Sequence, residues 1–490
     1  MKKIQKGFLI KNLILTAFFC ILLFSCITVN AIEYDGYIVK FKDDINMMNC
    51  CDEETIEPIA PEWNMYKAEE EDIAILDMSL VEYIEPNYIL KLHDFEPDDL
   101  YYSMQWNMRM IHMPYVWEKG FSGKGIRVGV IDSGVDLDNI DLSYCIENGK
   151  SYVDKTTDDS YGHGTKVSGV ISAMTNNKKI VAGMSNATII PFKVTNSTNV
   201  STDDIISAIY DAISDDYKCD VVNISIGGTA GSGTVNSFNT AFKKANEKGV
   251  IVTASAGNSA EKGNPINYPA SCDNVISVAA VSEKMERAGY SEYNEYVDIT
   301  APGGDSAKVS YIYTTGINST CATTTGTSFS APHVAAMAAI AKGIRKDIDH
   351  DKMMKLIKYS SLDLGEKGRD DYYGYGLLDA KKIVRMLMNN GVYLTAYIPE
   401  YSKKDKKLTV EYLNSGKTAD NKSSARVAVY NKDGVLTYLS DEVKLNIGSF
   451  EEKNLQFNNI DINDGEKATI ICMSDWSMIK PSADAVTVTN

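Results

Sequence analysis

Val128-Gly129-Val130-Ile131-Asp132-Ser133-Gly134 is a short apolar run that stops on a carboxylate and a glycine turn. An apolar run without polar alternation is the pattern of a strand buried on both faces, and such strands belong to parallel sheets covered by helices. The flanking sequence repeats the pattern. From Gln105 to Asn390 apolar runs alternate with helical ones: Ile126–Ile131, Thr202–Ile213, Val221–Ile226, Val235–Lys248 and Val250–Ala254. That alternation predicts an α/β fold, a mainly parallel sheet with helices on both faces, over residues 101–390. Carboxyl ends of strands in such sheets face the ligand crevice, which puts Asp132 at its rim.

The pattern changes on either side of this block. After Asn390 short alternating segments (Leu408, Val410, Tyr412; Val427, Val429; Ala468, Ile470) are separated by turns at Asn431–Gly434 and Asn463–Gly465. They predict a β-sandwich over 391–490. Upstream, Tyr34–Lys42 and Val81–Glu85 alternate like strands with helix-compatible sequence between, a small α+β module within 32–100 that closes on the acidic linker His93–Leu100. Residues 1–31 read as an export signal: Lys2, Lys3, Lys6 and Lys11, an uncharged run from Leu13 to Val29, and small residues Val29 and Ala31 at a cleavage site. Leu23-Phe24-Ser25-Cys26 offers a rival, lipoprotein-type processing site that would leave Cys26 lipid-anchored at the cell surface. The expected location is extracellular, with no membrane span once the signal is removed.

The net charge of −17 argues against a nucleic-acid surface, and 44% apolar with 23% charged residues argues against a disordered chain. The charge is uneven. The signal carries +4, while residues 32–93 hold 16 acids against four lysines, leaving −9 for the other 397 residues. Of nine cysteines, seven lie beyond the signal, an odd number without metal spacing, so buried free thiols are expected for most.

Three segments of the central block carry chemistry-bearing residues: Asp132 at its strand end, Tyr161-Gly162-His163-Gly164-Thr165, and Gly326-Thr327-Ser328-Phe329-Ser330-Ala331-Pro332-His333 at the head of an alanine-rich helix. A helix N-terminus presents unpaired N–H groups that suit a developing anion. Each piece alone also reads as a cap or loop. Among five histidines, His93 and His112 fall in or near the linker and His350 in a charged stretch. His333 shares a helix with Ser328 and points away from it, which leaves His163 as the candidate base.

Together the segments resemble the subtilisin-like serine protease family (subtilases, peptidase family S8), in the chain order Asp…His…Ser. The similarity runs over residues 105–385, and the acidic module resembles the family's I9-type intramolecular-chaperone propeptide, Val81–Glu85 matching its closing strand. The resemblance implies Ser328 as nucleophile, His163 as general base and Asp132 as its orienting carboxylate. Ala254-Ser255-Ala256-Gly257-Asn258 resembles the oxyanion segment, with Asn258 as donor. It and Ser225-Ile226-Gly227-Gly228 imply the two walls of the primary pocket, with Asn267 at the base. Asn267 is neither charged nor glycine, so it implies no strong preference for Lys, Arg or Glu and leaves the P1 preference open.

Two departures stand out. Lys166 replaces a frequent second histidine. Asp141 and Asn177 match structural-calcium ligands, yet their loop carries Lys178 and Lys179 and lacks the usual glycine. No cofactor is implied for the chemistry, and calcium is the one structural ion to look for. The expected function is a secreted, self-processing serine endopeptidase acting on protein or peptide substrate in extended conformation, with its own propeptide as inhibitor. A dedicated processing protease for one exported precursor and an inactive binding scaffold are the alternatives.

Overall fold

The computed structural model describes residues 34–42, 57–60, 63–68, 73, 76–88, 95–475, 480–481, 483 and 485–489. The expected signal, Cys26, and His93 lie outside them. The chain divides into two compact units, Met1–His93 and Asp94–Asn490.

In the first unit, β1 (Tyr34–Phe41), β2 (Glu57–Ala60), β3 (Met65–Ala68) and β4 (Val81–Tyr88) form an antiparallel sheet in the order β2-β3-β1-β4. One face is buried over Val39, Phe41, Ala68, Leu76 and Val81, which is what the alternation of β1 requires.

The second unit is built on a seven-stranded sheet. Its strands are β5 (Arg127–Asp132), β6 (Lys150–Ser151), β7 (Thr188–Lys193), β8 (Val221–Ile224), β9 (Ile251–Ser255), β10 (Val275–Val281) and β11 (Ile299–Pro302), and every pairing is parallel. The order is β11-β10-β9-β8-β5-β7-β6, so the chain moves from β5 to β7 on one side and then to β8 on the other. Loops diverge at such a reversal and open a crevice at the carboxyl end of β5. The central strands are buried on both faces and read as mainly apolar runs, with a few buried polar residues such as Asn223 and Thr253. Val128 and Val130 pack into one core, with α1 (His163–Ser172) and the buried α-helix Thr327–Ile344; Ile131 packs into the other, with α2 (Thr202–Ala212) and α3 (Ser232–Glu247). The fold is the expected α/β one.

The alanine-rich helix is α4 (Thr327–Ile344), followed by α5 (His350–Ser360) and α6 (Ala380–Met388). Small side chains let α4 run through the centre of the core, fully buried from Thr327 to Ala341. Pro332 inside it has no N–H to give to the carbonyl four residues back, that of Ser328, and the Ser225 hydroxyl donates to that oxygen instead, at 2.7 Å.

Beyond α6 two β-sheets face each other. One is built on Lys407–Asn414, paired with Leu394–Ala396, Glu400–Ser402 and Glu451–Phe457; the other on Ser424–Tyr430 and Lys467–Asp475. Their inner residues, among them Val410, Tyr412, Val427, Val429, Leu455 and Ile470, form one core. The sandwich is seated on the parallel-sheet body: Leu413 and Phe450 join its core, Arg345 Nη1 donates to Ser415 O at 2.9 Å, and Lys358 binds Glu411 and Glu452. The five described cysteines are free thiols, four of them buried.

Candidate active site

Asp132 closes β5 with its side chain buried, and the Ser133 N–H donates to its Oδ1 at 2.7 Å. That leaves the carboxylate facing α1. The imidazole of His163, the first residue of α1, has Nδ1 at 2.8 and 3.0 Å from Asp132 Oδ1 and Oδ2. Nδ1 therefore carries the proton given to the carboxylate, and Nε2 is the free basic nitrogen.

Flanking glycines make this approach possible. A Cβ at Gly164 would lie 2.1 Å from the Gly134 carbonyl and 3.1 Å from Asp132 Cβ, so only glycine lets the first turn of α1 close on the end of β5. Burial pulls the His163 pKa down, but the charge and hydrogen bond of Asp132 outweigh it, leaving it above the ordinary histidine value; Lys166 opposes that rise.

Ser328 lies in the first turn of α4, where N–H groups have no carbonyl of their own helix to meet. Its hydroxyl donates to Ser225 O at 3.1 Å, and the ring of the next residue, Phe329, packs 5.6 Å from that of His163. Among the described residues no Ser328–His163 hydrogen bond is formed, a looseness common before substrate arrives.

Asn258 has a fixed orientation. Its Oδ1 accepts from both the N–H and the hydroxyl of Thr327, at 2.9 and 3.0 Å, so its Nδ2 is turned away, beside Gly326. Amide donors from Asn258 and the Ser328 backbone are thus both carried at the head of α4.

Asp132, His163, Asn258 and Ser328 line one cleft of about 550 Å³ together with Ser225, Ile226, Gly227, Gly228, Ser255, Gly257 and Asn267. Ala254 and Ala256 do not face it; their side chains are buried behind the wall. The backbone of Gly228 is committed to Tyr268 in both directions, at 2.9 and 2.8 Å. Asn267 Nδ2 donates to Ser255 O, tying one wall to the base. His333, by contrast, is fully buried, bonded to Phe329 O and to Asn107, with burial holding its pKa down at about 4.

The sequence does not single out Thr327 as the residue that orients Asn258, nor Glu292, which lines the cleft from a segment 34 residues downstream of Asn258. In the Ala288–Val297 stretch Glu292 and Glu295 are the two charged residues, and nothing local in the sequence favours one over the other.

Asp141 and Asn177, the expected calcium ligands, are together but turned toward protein donors. Asp141 Oδ1 accepts from Asn177 Nδ2 at 2.9 Å, and Oδ2 from the N–H groups of Ile180 and Val181 at 3.2 and 3.0 Å. Asn177 Oδ1 accepts from Lys179 N–H at 2.8 Å. The nearby Asp99 carboxylate accepts from the N–H groups of Asn176 and Asn177. Donors stand where calcium needs oxygens, so this arrangement does not fit the ion.

Known proteins resemble the stretch of chain that contains this cleft. The model of the subtilase family matches residues 123–376. The minor extracellular protease Epr of Bacillus subtilis (strain 168) is 36% identical over 281 residues, 56% of this chain and 41% of that protein, so the match spans less than half of Epr. Subtilisin DY of Bacillus licheniformis is 32% identical over 285 residues, 57% of this chain and 98% of that protein. Among solved structures, a lanthipeptide protease aligns with a TM-score of 0.54 at 24% identity, over 60% of this chain and 99% of its own, a likeness of fold.

Proposed function

The chain belongs to the subtilase family of serine proteases, and from that membership we propose an exported serine endopeptidase made as a self-processing zymogen. The observation that carries the reading is the two-oxygen contact of Asp132 with His163 Nδ1, in the cleft that also holds Ser328 and Asn258.

In the proposed cycle the Ser328 hydroxyl swings from Ser225 O to His163 Nε2 and attacks the scissile carbonyl carbon. The proton passes to Nε2, and Asp132 stabilises the imidazolium. The oxyanion takes the Asn258 Nδ2–H and Ser328 N–H bonds. The C–N bond then breaks, the amine leaves with the proton from Nε2, and an acyl-Ser328 ester remains. Water, giving its proton to His163, hydrolyses that ester and restores the serine. No cofactor enters these steps. The walls Ser225–Gly227 and Ser255–Gly257 suit a substrate held extended through its backbone, Gly228 being already bonded to Tyr268.

The acidic first unit is assigned as the propeptide, cut by the enzyme itself and retained as an inhibitor until degraded. Residues 98–101 belong to the second unit by their bonds: Asp98 N–H to Asn176 Oδ1, Leu100 N–H to Lys179 O and Tyr101 N–H to Ile180 O. These bonds support a cut upstream of Asp98, and we assign the holding of this segment to amide donors rather than calcium. Signal cleavage at Ala31 would put the precursor outside the membrane, and no described helix is long and apolar enough to cross one. Ser328→Ala should accumulate as uncut precursor and lose about a millionfold in turnover, the loss found in subtilisin itself. If pure Ser328→Ala still matured unaided, the self-processing claim would fail.

A further inference from the structure

The cleft is lined by a buried acid, Glu292, that the catalytic cycle does not use. Two glycines, one on each wall, make room for polar side chains. A Cβ on Gly227 would lie 2.4 Å from Asn267 Nδ2, and one on Gly257 would lie 2.3 to 2.6 Å from the Glu292 carboxylate. Glu292 is 2% exposed and lies against the Gly257 backbone, its own N–H bonded to Gly257 O at 3.0 Å. Its Oε1 accepts from Ser259 N–H at 3.0 Å, while Oε2 is buried with no hydrogen-bond partner among the described residues. No Lys, Arg or His is paired with it there. Burial alone pushes its carboxyl up to about 7, with the Ser259 N–H opposing.

A buried acid with an unsatisfied oxygen is a penalty that folding alone does not reward. It becomes favourable when a cation is brought to it, and the cleft delivers one side chain to this place: that of P1, the residue on the amino side of the scissile bond. Asn267 strengthens the case. Its Nδ2 is given to Ser255 O, leaving Oδ1 as a second acceptor in the same cleft. A guanidinium has donors enough for both oxygens in one plane, and an ammonium can reach one.

Building on the protease reading above, we infer that Glu292 is the specificity-determining residue of the primary pocket, selecting substrates with arginine, and next lysine, at P1. Asn267 alone implied no such preference, because the acid comes from a different segment of the chain.

The test uses enzyme matured from the full chain and peptide anilides that differ only at P1. The kcat/KM for P1-Arg should exceed that for P1-Leu by about 100-fold or more. In Glu292→Gln the ratio should fall by about 30-fold or more, through the P1-Arg substrate, since a buried charge pair has lost one partner. Covalent labelling by a fluorophosphonate reports whether that variant has folded. Should it not fold, the unaltered enzyme still answers: benzamidine, a flat cation, should slow labelling where neutral benzyl alcohol at equal concentration does not. An enzyme that labels but prefers P1-Leu, or that benzamidine fails to protect, overturns the assignment of Glu292 alone. A protein that neither labels nor cleaves any of the peptides overturns the protease reading, and this inference with it.

Discussion

Gly164→Ala is the sharpest perturbation of the proposed machinery, because it alters no reacting group. The added methyl would sit 2.1 Å from the Gly134 carbonyl oxygen and 3.2 Å from Asp132 Oδ1. Relieving the first contact needs a shift of about 1 Å between the head of α1 and the end of β5, in a region packed too tightly to absorb it elsewhere. His163 starts α1 and Asp132 ends β5, so the shift falls on the 2.8 and 3.0 Å contacts between them. A misplacement of that size lowers kcat/KM by about 100-fold, with about 1–3 kcal/mol lost in stability from overpacking. The assay is kcat/KM on a peptide anilide across pH, with thermal unfolding alongside. The acid limb should also move down, since His163 loses part of the Asp132 interaction that raises it. A variant with unchanged kcat/KM and an unchanged acid limb would refute the claim that this close approach sets the imidazole.

Asn258→Ala should lower kcat by about 100- to 1,000-fold with little change in KM, the range found for subtilisin's own side-chain oxyanion donor; stopped assays with burst titration separate the two. Catalysis needs His163 neutral, so its raised pKa places the acid limb of kcat/KM above the ordinary histidine value, activity falling as pH drops through it. Asp132→Asn should shift that limb down and reduce kcat by about 10⁴-fold. Chelation with EDTA should leave the thermal midpoint unchanged, whereas Asp99→Ala, which strips the acceptor from Asn176 and Asn177, should lower stability by about 1–3 kcal/mol. Arg345→Ala should loosen the sandwich by a similar amount, because Ser415 O loses its buried donor and the Phe450 ring the nearer of its two cations; limited proteolysis beyond Asn390 would detect it.

The fold was legible because burial on both faces writes itself into sequence. Val128–Ile131 carries no polar side chain and Val221–Ile224 only the buried Asn223, and the alternation around Val410 and Val427 announces a sheet with one wet face. The Gly162-His163-Gly164 pattern was legible for a related reason: both neighbours are glycine, and the structure gives the cause at Gly164. What sequence could not convey is pairing across distance. Thr327 reads as a helix-start residue, and its hold on Asn258 depends on a loop 69 positions away. Glu292 reads as a surface acid until Gly257 is seen to leave it room. Asp141 and Asn177 were legible as neighbours, but whether oxygens or N–H groups meet between them depends on loop conformation, which local pattern does not encode.

The most direct test of the central claim is covalent labelling of the matured enzyme with a fluorophosphonate, followed by mapping of the modified peptide. The account predicts one adduct per chain, on Ser328, formed at a rate that follows deprotonation of His163 and lost in Ser328→Ala. An adduct on another residue, or none on a folded and matured chain, would contradict it.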